Sequence, residues 1–294
     1  MDDFESISYR IRIGVTGHRK LNDPAAMQVL VKKAIDAEVE KLFPEEPRHN
    51  IERVRRAGTT AISFRVLSPL AEGADRVVAR AVLADPDARL DVVLPLALED
   101  YLEDFATEES RKEFEELLGR CRKPVPLRTR CIQDDRRDPG DQAELRRDAY
   151  SQVGQYVVDH CDVLIAAWDG QPSRGRGGTA EIVQYAQEQN RPIIRVWGDS
   201  FEVLNRDNNN GLDASALDAI DQFNRRAITP DERASYVKNL DREHFEEPKS
   251  AAEIPASVRE QVNGRLFPRR SCPCSAERWS KARRDAACNP LGPE

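Results

Sequence analysis

The run from Asp169 to Glu181 (DGQPSRGRGGTAE) holds four glycines, two arginines and a threonine between an apolar stretch and an amphipathic one. Glycines let a ligand approach the backbone, and the free amides at the start of a helix attract anions. We expect Arg174 and Arg176 to contact phosphate oxygens and Thr179 to donate a hydrogen bond from the first helical turn. The alternative is a flexible surface loop, although such connections usually have only ~2–6 residues. The residues expected to bind a ligand here are Asp169, Gly170, Arg174, Gly175, Arg176, Gly177, Gly178 and Thr179.

Two further turns have a related composition. Gly14–Arg19 (GVTGHR) ends the first apolar strand, and Ser68–Arg76 (SPLAEGADR) links a second strand to a helix. In the first, Gly17 permits a turn, and His18 and Arg19 offer donors to an anion or a base. In the second, the small residues Gly73 and Ala74 let a ligand lie against the helix start. Alternatively, the histidine and arginine are ordinary exposed groups, and the acidic residues simply suit a helix N-terminus. The candidate binding residues are Gly14, Thr16, Gly17, His18, Arg19, Glu72, Gly73, Asp75 and Arg76.

Apolar strands alternate with helices along the first two thirds of the chain. This order predicts an α/β, Rossmann-like, mainly parallel sheet with helices on both faces and ligands beyond the carboxyl ends of the strands. The predicted strands are Tyr9–Val15, Ile62–Leu67, Leu90–Leu96, Asp162–Trp168 and Pro192–Trp197, with a short one near Val125–Arg130. The first predicted helix begins near Asp23. The others cover Ala74–Ala84, parts of Glu99–Cys121, Asp141–His160 and Thr179–Gln189.

The character of the sequence changes after residue 200. We predict a nucleotide-binding domain over 1–200 and a C-terminal extension over 201–294. The extension contains a linker or turn at Asn208–Gly211, a helix over Ala214–Arg226 and a disordered tail at Ser271–Glu294.

The chain has a net charge of −7 and a pI near 5.4, which does not favour binding to nucleic-acid phosphates. No stretch approaches the ~20 apolar residues that cross a bilayer, and the N-terminus does not resemble a signal peptide. We therefore expect a cytoplasmic protein with no membrane partner. Its six cysteines are expected to be free thiols. Cys272 and Cys274 have no partner pair at zinc spacing, so neither a metal nor a cofactor is expected.

Several aromatic residues favour packing over chemistry. Tyr150 and Tyr156 lie at helical spacing and are expected in the core, while Trp168 and Trp197 end strands. Trp168 is also placed to line a pocket. His160 is expected to interact favourably with the end of a helix.

Four segments together resemble the SLOG superfamily of Rossmann-like domains. They are Ile13–Arg19 (IGVTGHR), Leu67–Ala79 (LSPLAEGADRVVA), Leu94–Phe105 (LPLALEDYLEDF) and Cys161–Glu181, and the match extends over residues 8–198. The superfamily includes the DNA-processing protein A type, the LOG type and the nucleotide-sensing domains of bacterial conflict systems. The resemblance implies a domain that binds nucleotides or nucleotide-derived signals.

LOG enzymes, which cleave the N-glycosidic bond of nucleoside monophosphates, carry the motif Pro-Gly-Gly-x-Gly-Thr-x-x-Glu. Here Gly177–Glu181 lacks the proline and has its glutamate two residues after Thr179, with Ile182 at the third position. Glu181 is the candidate catalytic residue if the chain is such a hydrolase. The resemblance leaves three functions open: a nucleotide sensor working with a separate effector protein, a phosphoribohydrolase, and a single-stranded DNA-binding protein. Relatives of this fold commonly dimerise, so a homodimer is also expected.

Overall fold

The computed structural model describes residues 9–41, 62–121, 124–127, 139–172 and 177–204, together with Leu217 and Ile220. The strands are β1 (Tyr9–Gly17), β2 (Ile62–Ser68), β3 (Arg89–Leu94), β4 (Val125–Pro126), β5 (Val163–Ala167), β6 (Ile193–Trp197) and β7 (Ser200–Leu204). The helices are α1 (Pro24–Glu40), α2 (Ala74–Val82), α3 (Leu98–Leu102), α4 (Glu108–Leu118), α5 (Pro139–Asp159) and α6 (Thr179–Glu188).

These strands form a single sheet with the order β4-β3-β2-β1-β5-β6-β7. All neighbouring strands pair in parallel except β6 and β7, which are antiparallel. The order runs outward from β1 in one direction through β2 to β4 and in the other through β5 to β7. The point where the direction reverses, between β1 and β5, is where open parallel sheets bind their ligands.

Helices cover both faces of the sheet, as the sequence predicted. Along β5, Val163, Ile165 and Ala167 face one hydrophobic core, while Leu164 and Ala166 face the other. The first core includes apolar residues of α1, α2, α3 and α4, and the second includes residues of α5 and α6. A strand buried on both faces must be apolar at every position, which explains the composition of β5.

Two aspartate side chains determine the start of α1 and the pairing of β1 with β5. Asp23 caps α1 by accepting a hydrogen bond from the N–H of Ala26 (2.9 Å), and Pro24 occupies the first helical turn, as predicted. At the amino end of the β1–β5 pair, the Arg12 guanidinium contacts the Asp162 carboxylate at 2.8 Å. The same carboxylate accepts from the N–H of Arg12 (2.7 Å), which sets the register of the two strands.

The sequence did not predict β7. The turn that makes it is Gly198-Asp199, with Gly198 at a φ of +64°, between the paired residues Trp197 and Ser200. A Gly-Asp pair between two apolar runs is a recognised hairpin signal, so this strand was detectable from the sequence. The other differences are small: α5 starts at Pro139 rather than Asp141, and β3 ends at Leu94 rather than Leu96.

The sheet extends past the expected domain boundary at residue 200. The chain divides into two compact units, 1–253 and 254–294, and the second lies outside the described residues. Leu217 and Ile220 are helical and buried in the first core, within the segment where a helix was predicted. The division at residue 200 stays a prediction, and the predicted turn at Asn208–Gly211 and tail at Ser271–Glu294 lie outside the described residues.

The described part of the chain can be compared with the expectations about thiols, membrane-spanning helices and metal ligands. Cys121 and Cys161 are buried thiols that form no disulfide, as predicted. None of the helices in the described ranges is long and apolar enough to cross a membrane. The same ranges hold no group of three His, Cys, Asp or Glu side chains suited to a metal ion.

The centre of the sheet should tolerate truncation poorly. Ile165 is fully buried in β5, so Ile165→Ala is expected to lower the free energy of unfolding by ~2–5 kcal/mol through lost contacts and a new cavity. Urea denaturation measures the change. Val29→Ala is the control, because Val29 is 56% exposed and its truncation should change stability by less than ~0.5 kcal/mol. Equal losses in the two variants would contradict the assignment of β5 to the core.

Candidate ligand-binding site

The backbone of His18 joins the ends of three elements at the carboxyl edge of the sheet. Its N–H donates to the carbonyl of Ala167 in β5, and its carbonyl accepts from the N–H of Ala74 in α2, both at 3.0 Å. An ideal Cβ on Gly17 would lie 2.4 Å from the Cβ of Ala74 and 2.8 Å from the carbonyl oxygen of Ala167. A side chain at Gly17 would therefore force these elements apart.

Gly73 brings the turn after β2 against the turn after β1. It is the N-cap of α2 and has a φ of +80°, a conformation that strongly favours glycine. An ideal Cβ at this position would lie 2.2 Å from the carbonyl oxygen of Arg19 and 2.5 Å from that of His18. Two of the three predicted turns are thus in direct contact.

The side chain of His18 reaches the third turn. Its Nε2 atom lies 3.3 Å from the amide nitrogen of Asp169 and 3.1 Å from Oδ1 of the same residue. Nε2 accepts from the amide when the proton is on Nδ1, and it donates to the carboxylate when Nε2 is protonated. The imidazole also packs edge-on against Trp197, with ring centroids 5.2 Å apart. His18 therefore links the ends of β1, β5 and β6.

Arg195, which the sequence analysis did not single out, supports the first part of the glycine-rich turn. Its Nε donates to the carbonyl of Trp168 (3.1 Å), and its NH1 donates to Glu202 on β7 (2.6 Å). Gly170 has a φ of +83°, and an ideal Cβ there would lie 2.8 Å from the Arg195 guanidinium. The positive φ of Gly170 favours glycine, and the end of the Arg195 side chain lies beside it.

Glu181 holds the second part of this turn. One carboxylate oxygen accepts from the N–H of Gly177 (2.7 Å), and the other accepts from the hydroxyl of Ser151 on α5 (2.6 Å). Glu181 is the third residue of α6, the position from which a glutamate reaches back to satisfy an amide before the helix. Both oxygens of the predicted catalytic carboxylate are therefore engaged with the turn and α5.

The start of α6 leaves backbone donors open. Gly178 caps the helix without a side-chain hydrogen bond, and the N–H groups of Gly178, Thr179 and Ala180 donate to no acceptor among the described residues. Free amides aligned with the helix dipole are the usual binding groups for phosphate and carboxylate. The other predicted residues of this turn, Arg174, Gly175 and Arg176, lie outside the described residues.

Tyr150 connects the α6 turn to the turn after β1. Gly177 has a φ of +76°, and an ideal Cβ there would lie 3.1 Å from the Cβ of Tyr150 and 2.9 Å from the carbonyl oxygen of Arg147. The guanidinium of Arg19 lies over the Tyr150 ring, 5.2 Å from its centroid. The three predicted turns are therefore adjacent around one edge of the sheet.

Asp75 is a buried carboxyl group at the start of α2. Its Oδ2 accepts from the N–H of Ala71 (3.1 Å), which fixes the turn after β2. Burial raises the pKa of Asp75 to about 7, although the Ala71 hydrogen bond and the charges of Arg19 and Arg76 lower it. Asp75 is thus near its titration midpoint at neutral pH.

Arg76 and Glu72 connect the same turn to α4. The Arg76 guanidinium is almost fully buried and donates to the carbonyl of Leu70 (3.1 Å) and to Glu113 (2.8 Å). Glu72 accepts from the hydroxyl of Ser110. The guanidinium lowers the pKa of Glu113 even though burial acts in the opposite direction. These contacts hold the turn in shape, and they use Nε and NH1 of Arg76, whereas its buried NH2 has no hydrogen-bond partner among the described residues.

Gly14 and Thr16 lie within β1 rather than in the turn. An ideal Cβ on Gly14 would lie 2.8 Å from Sγ of Cys161 and 2.9 Å from Val157, so this glycine allows α5 to approach the sheet. Thr16 is buried next to it in the strand. The structure does not bring Gly14 to the edge where Gly17 and Gly73 meet.

Tyr101 and Asp104 are two more polar residues near this edge that the sequence analysis missed. The Tyr150 hydroxyl donates to Asp104, whose carboxylate also accepts from Arg146. Tyr101 packs against Tyr150 with its ring centroid 6.2 Å away. Tyr150 was expected in the core and is instead half-buried beside Arg19. Helical spacing predicts that a residue faces inward, but not which polar group it meets there.

No family model matches the chain, and no curated protein matches it. Among solved structures, it is similar to DNA processing protein A from Streptococcus pneumoniae, with 15% sequence identity and a TM-score of 0.39. The match covers 64% of this chain and 50% of that chain. Such a distant likeness concerns the fold only, and the SLOG resemblance stays an expectation.

Gly73 and Gly198 allow a matched test of the contact between turns. Both have positive φ, but a Cβ on Gly198 meets nothing within 4 Å. Gly198→Ala is expected to lower the free energy of unfolding by ~1–2 kcal/mol through backbone strain alone. Gly73→Ala should lose ~1–3 kcal/mol more, because its Cβ collides with the backbone of the β1 turn. Denaturant titration measures both, and equal losses would contradict the contact.

Asp75 should make stability depend on pH. Its pKa is higher in the folded chain than in the unfolded one, so the folded state binds more protons between pH ~4 and ~7. Its contribution to the free energy of unfolding therefore decreases as pH rises through this window, by up to ~1.4 kcal/mol per unit. Asp75→Asn keeps an acceptor for Ala71 and should gain stability relative to wild type from pH 4.5 to 7.5. A difference that does not change with pH would contradict the raised pKa.

Proposed function

We propose that the chain binds a nucleotide or nucleotide-derived signalling ligand at the carboxyl edge of its sheet and acts as a sensor with a separate effector protein. The observation that carries the proposal is the open N-terminus of α6 beside the β1–β5 switch point. There the N–H groups of Gly178, Thr179 and Ala180 find no acceptor among the described residues. An anionic group of the ligand supplies the missing acceptors.

Cations and hydrogen-bonding groups near the open amides suit a phosphate attached to a nucleoside. Arg19 is exposed and lies over Tyr150, which in turn contacts Gly177. His18 presents a partly exposed imidazole beside Asp169. Arg174 and Arg176, outside the described residues, remain candidates for further phosphate contacts. A phosphate at the α6 amides with its nucleoside toward His18 and Arg19 uses two of the turns, and the third supports them through the contact of Gly73 with the His18 and Arg19 carbonyls.

The contacts of Glu181 favour a role in positioning the turn over a role in cleaving a glycosidic bond. A catalytic carboxylate must face the sugar, whereas both Glu181 oxygens accept hydrogen bonds from Gly177 and Ser151. Phosphoribohydrolase activity is therefore the second candidate function. Single-stranded DNA binding is the third candidate function. The expectations that nucleic acid is an unlikely partner, that the chain forms a homodimer and that it is cytoplasmic stay predictions.

Gly178→Val should abolish ligand binding in a folded protein. The backbone at Gly178 has φ −85° and ψ 162°, which valine adopts without strain, but the added side chain would occupy the space in front of the amides. Calorimetry against mononucleotides, cyclic oligonucleotides, NAD and ADP-ribose measures binding. The matched control is Gly119→Val at the end of α4, which should bind like wild type.

The same experiments decide between the candidate functions. No binding tighter than millimolar to any member of the panel, or full affinity in folded Gly178→Val, would contradict the proposal. Free base released from a nucleoside monophosphate, and lost in Glu181→Ala, would favour the hydrolase instead. A shift of single-stranded DNA at low salt that weakens steeply as salt rises would favour nucleic-acid binding.

A further inference from the structure

His18 is the first residue beyond β1 at the β1–β5 switch point, and two hydrogen bonds fix its backbone there. Its N–H donates to the Ala167 carbonyl and its carbonyl accepts from the Ala74 N–H, both at 3.0 Å. Edge-on packing against Trp197, with ring centroids 5.2 Å apart, holds the imidazole. The side chain is nevertheless 33% exposed. His18 therefore presents a firmly held, titratable ring at the place where open parallel sheets bind their ligands.

The two ring nitrogens of His18 have different surroundings. Nε2 lies 3.1 Å from Oδ1 of Asp169 and 3.3 Å from the amide nitrogen of the same residue. Oδ1 also accepts from the N–H of Gln171 (3.0 Å), which helps to hold the carboxylate in place. Nδ1 forms no hydrogen bond with any described residue and is accessible to solvent. The fold thus engages one nitrogen and leaves the other available to a ligand.

Charged groups of both signs lie on the elements packed around His18. They are Asp169 after β5, Arg195 on β6 with its partner Glu202 on β7, Arg19 and Lys20 after β1, and Asp75 at the start of α2. Arg195 and Glu202 pair at 2.6 Å and are neutral as a unit, whereas Asp169 contacts the ring directly. A carboxylate beside a histidine stabilises the imidazolium, and neighbouring cations oppose it. An anion at Nδ1 would place negative charge on both sides of the ring.

We propose that His18 binds an anionic oxygen of the nucleotide through Nδ1 as an imidazolium, so that ligand binding takes up a proton from solvent. In the bound state Nε2–H donates to the Asp169 carboxylate and Nδ1–H donates to the ligand, which requires a proton on both nitrogens. Histidine side chains change charge near neutral pH, so the affinity decreases as pH rises through neutrality. This inference rests on the proposed function and adds that pH regulates the site.

Calorimetry on the full chain at pH 7.5 tests the proton uptake, with whichever of the mononucleotides, cyclic oligonucleotides, NAD and ADP-ribose binds most tightly. A phosphate monoester has its second pKa at ~6 and is almost fully ionised at this pH, so the protons taken up bind to the protein. Titrations in two buffers of different ionisation enthalpy give the number of protons. Wild type should take up ~0.5 proton or more per ligand. Its affinity relative to His18→Gln should decrease ~5-fold or more from pH 6.5 to 8.

His18→Gln keeps a hydrogen-bonding side chain but should lose the uptake. Asp75→Asn and His160→Gln are the controls and should retain it. Asp75 is the other group at this edge that titrates near neutral pH, and His160 lies beyond the end of α5, with Nδ1 2.8 Å from the Tyr156 carbonyl oxygen.

Each outcome separates this inference from the proposed function. Wild type that binds without proton uptake overturns the inference but leaves the proposed function standing, and this measurement needs no variant to fold. Uptake that persists in folded His18→Gln also overturns it, as does uptake that disappears in an Asp75→Asn protein that still binds. Absence of binding to every nucleotide contradicts the proposed function itself.

Discussion

The arrangement of the site depends on the close approach of three backbone segments at Gly17 and His18. The His18 amide extends the β1–β5 pairing by one residue, and its carbonyl anchors the first amide of α2. This approach requires glycine at positions 17 and 73, since a Cβ at either position would lie within 2.5 Å of a neighbouring atom. Once these contacts exist, the ends of β1, β2 and β5 have fixed positions, and the loops that follow them share one edge of the sheet.

Side chains on the turns mostly hold the turns themselves. Glu181 ties Gly177 to α5, Arg195 supports the backbone at Trp168, and Asp75 binds the amide of Ala71. With the shape of the loops maintained in this way, the open amides at the start of α6 stay free to donate hydrogen bonds to an anion. Preorganised donors of this kind need little rearrangement when the ligand binds. This is why we propose a binding module in preference to an enzyme whose carboxylate must be free.

The polar groups near α2 form an environment different from that of the open amides of α6. Asp75, Tyr101 and Tyr150 are largely removed from water, so charge on any of them is costly. Arg19 is the exposed cation among them. The edge thus combines open amides at the start of α6 with a closed region at α2 that is largely removed from water.

The sequence by itself determined the layered α/β fold, because apolar strands alternating with amphipathic helices can bury their surfaces in few other ways. It also determined which turns meet, since the carboxyl ends of parallel strands lie at one edge. It contained the Gly198-Asp199 signal for β7, which was overlooked. Only the tertiary structure decided the roles of Tyr101, Tyr150 and Arg195, and the use of both Glu181 oxygens. Patterns along the chain report which face a residue presents, whereas its partner across the fold, such as Ser151 for Glu181, depends on how the elements pack.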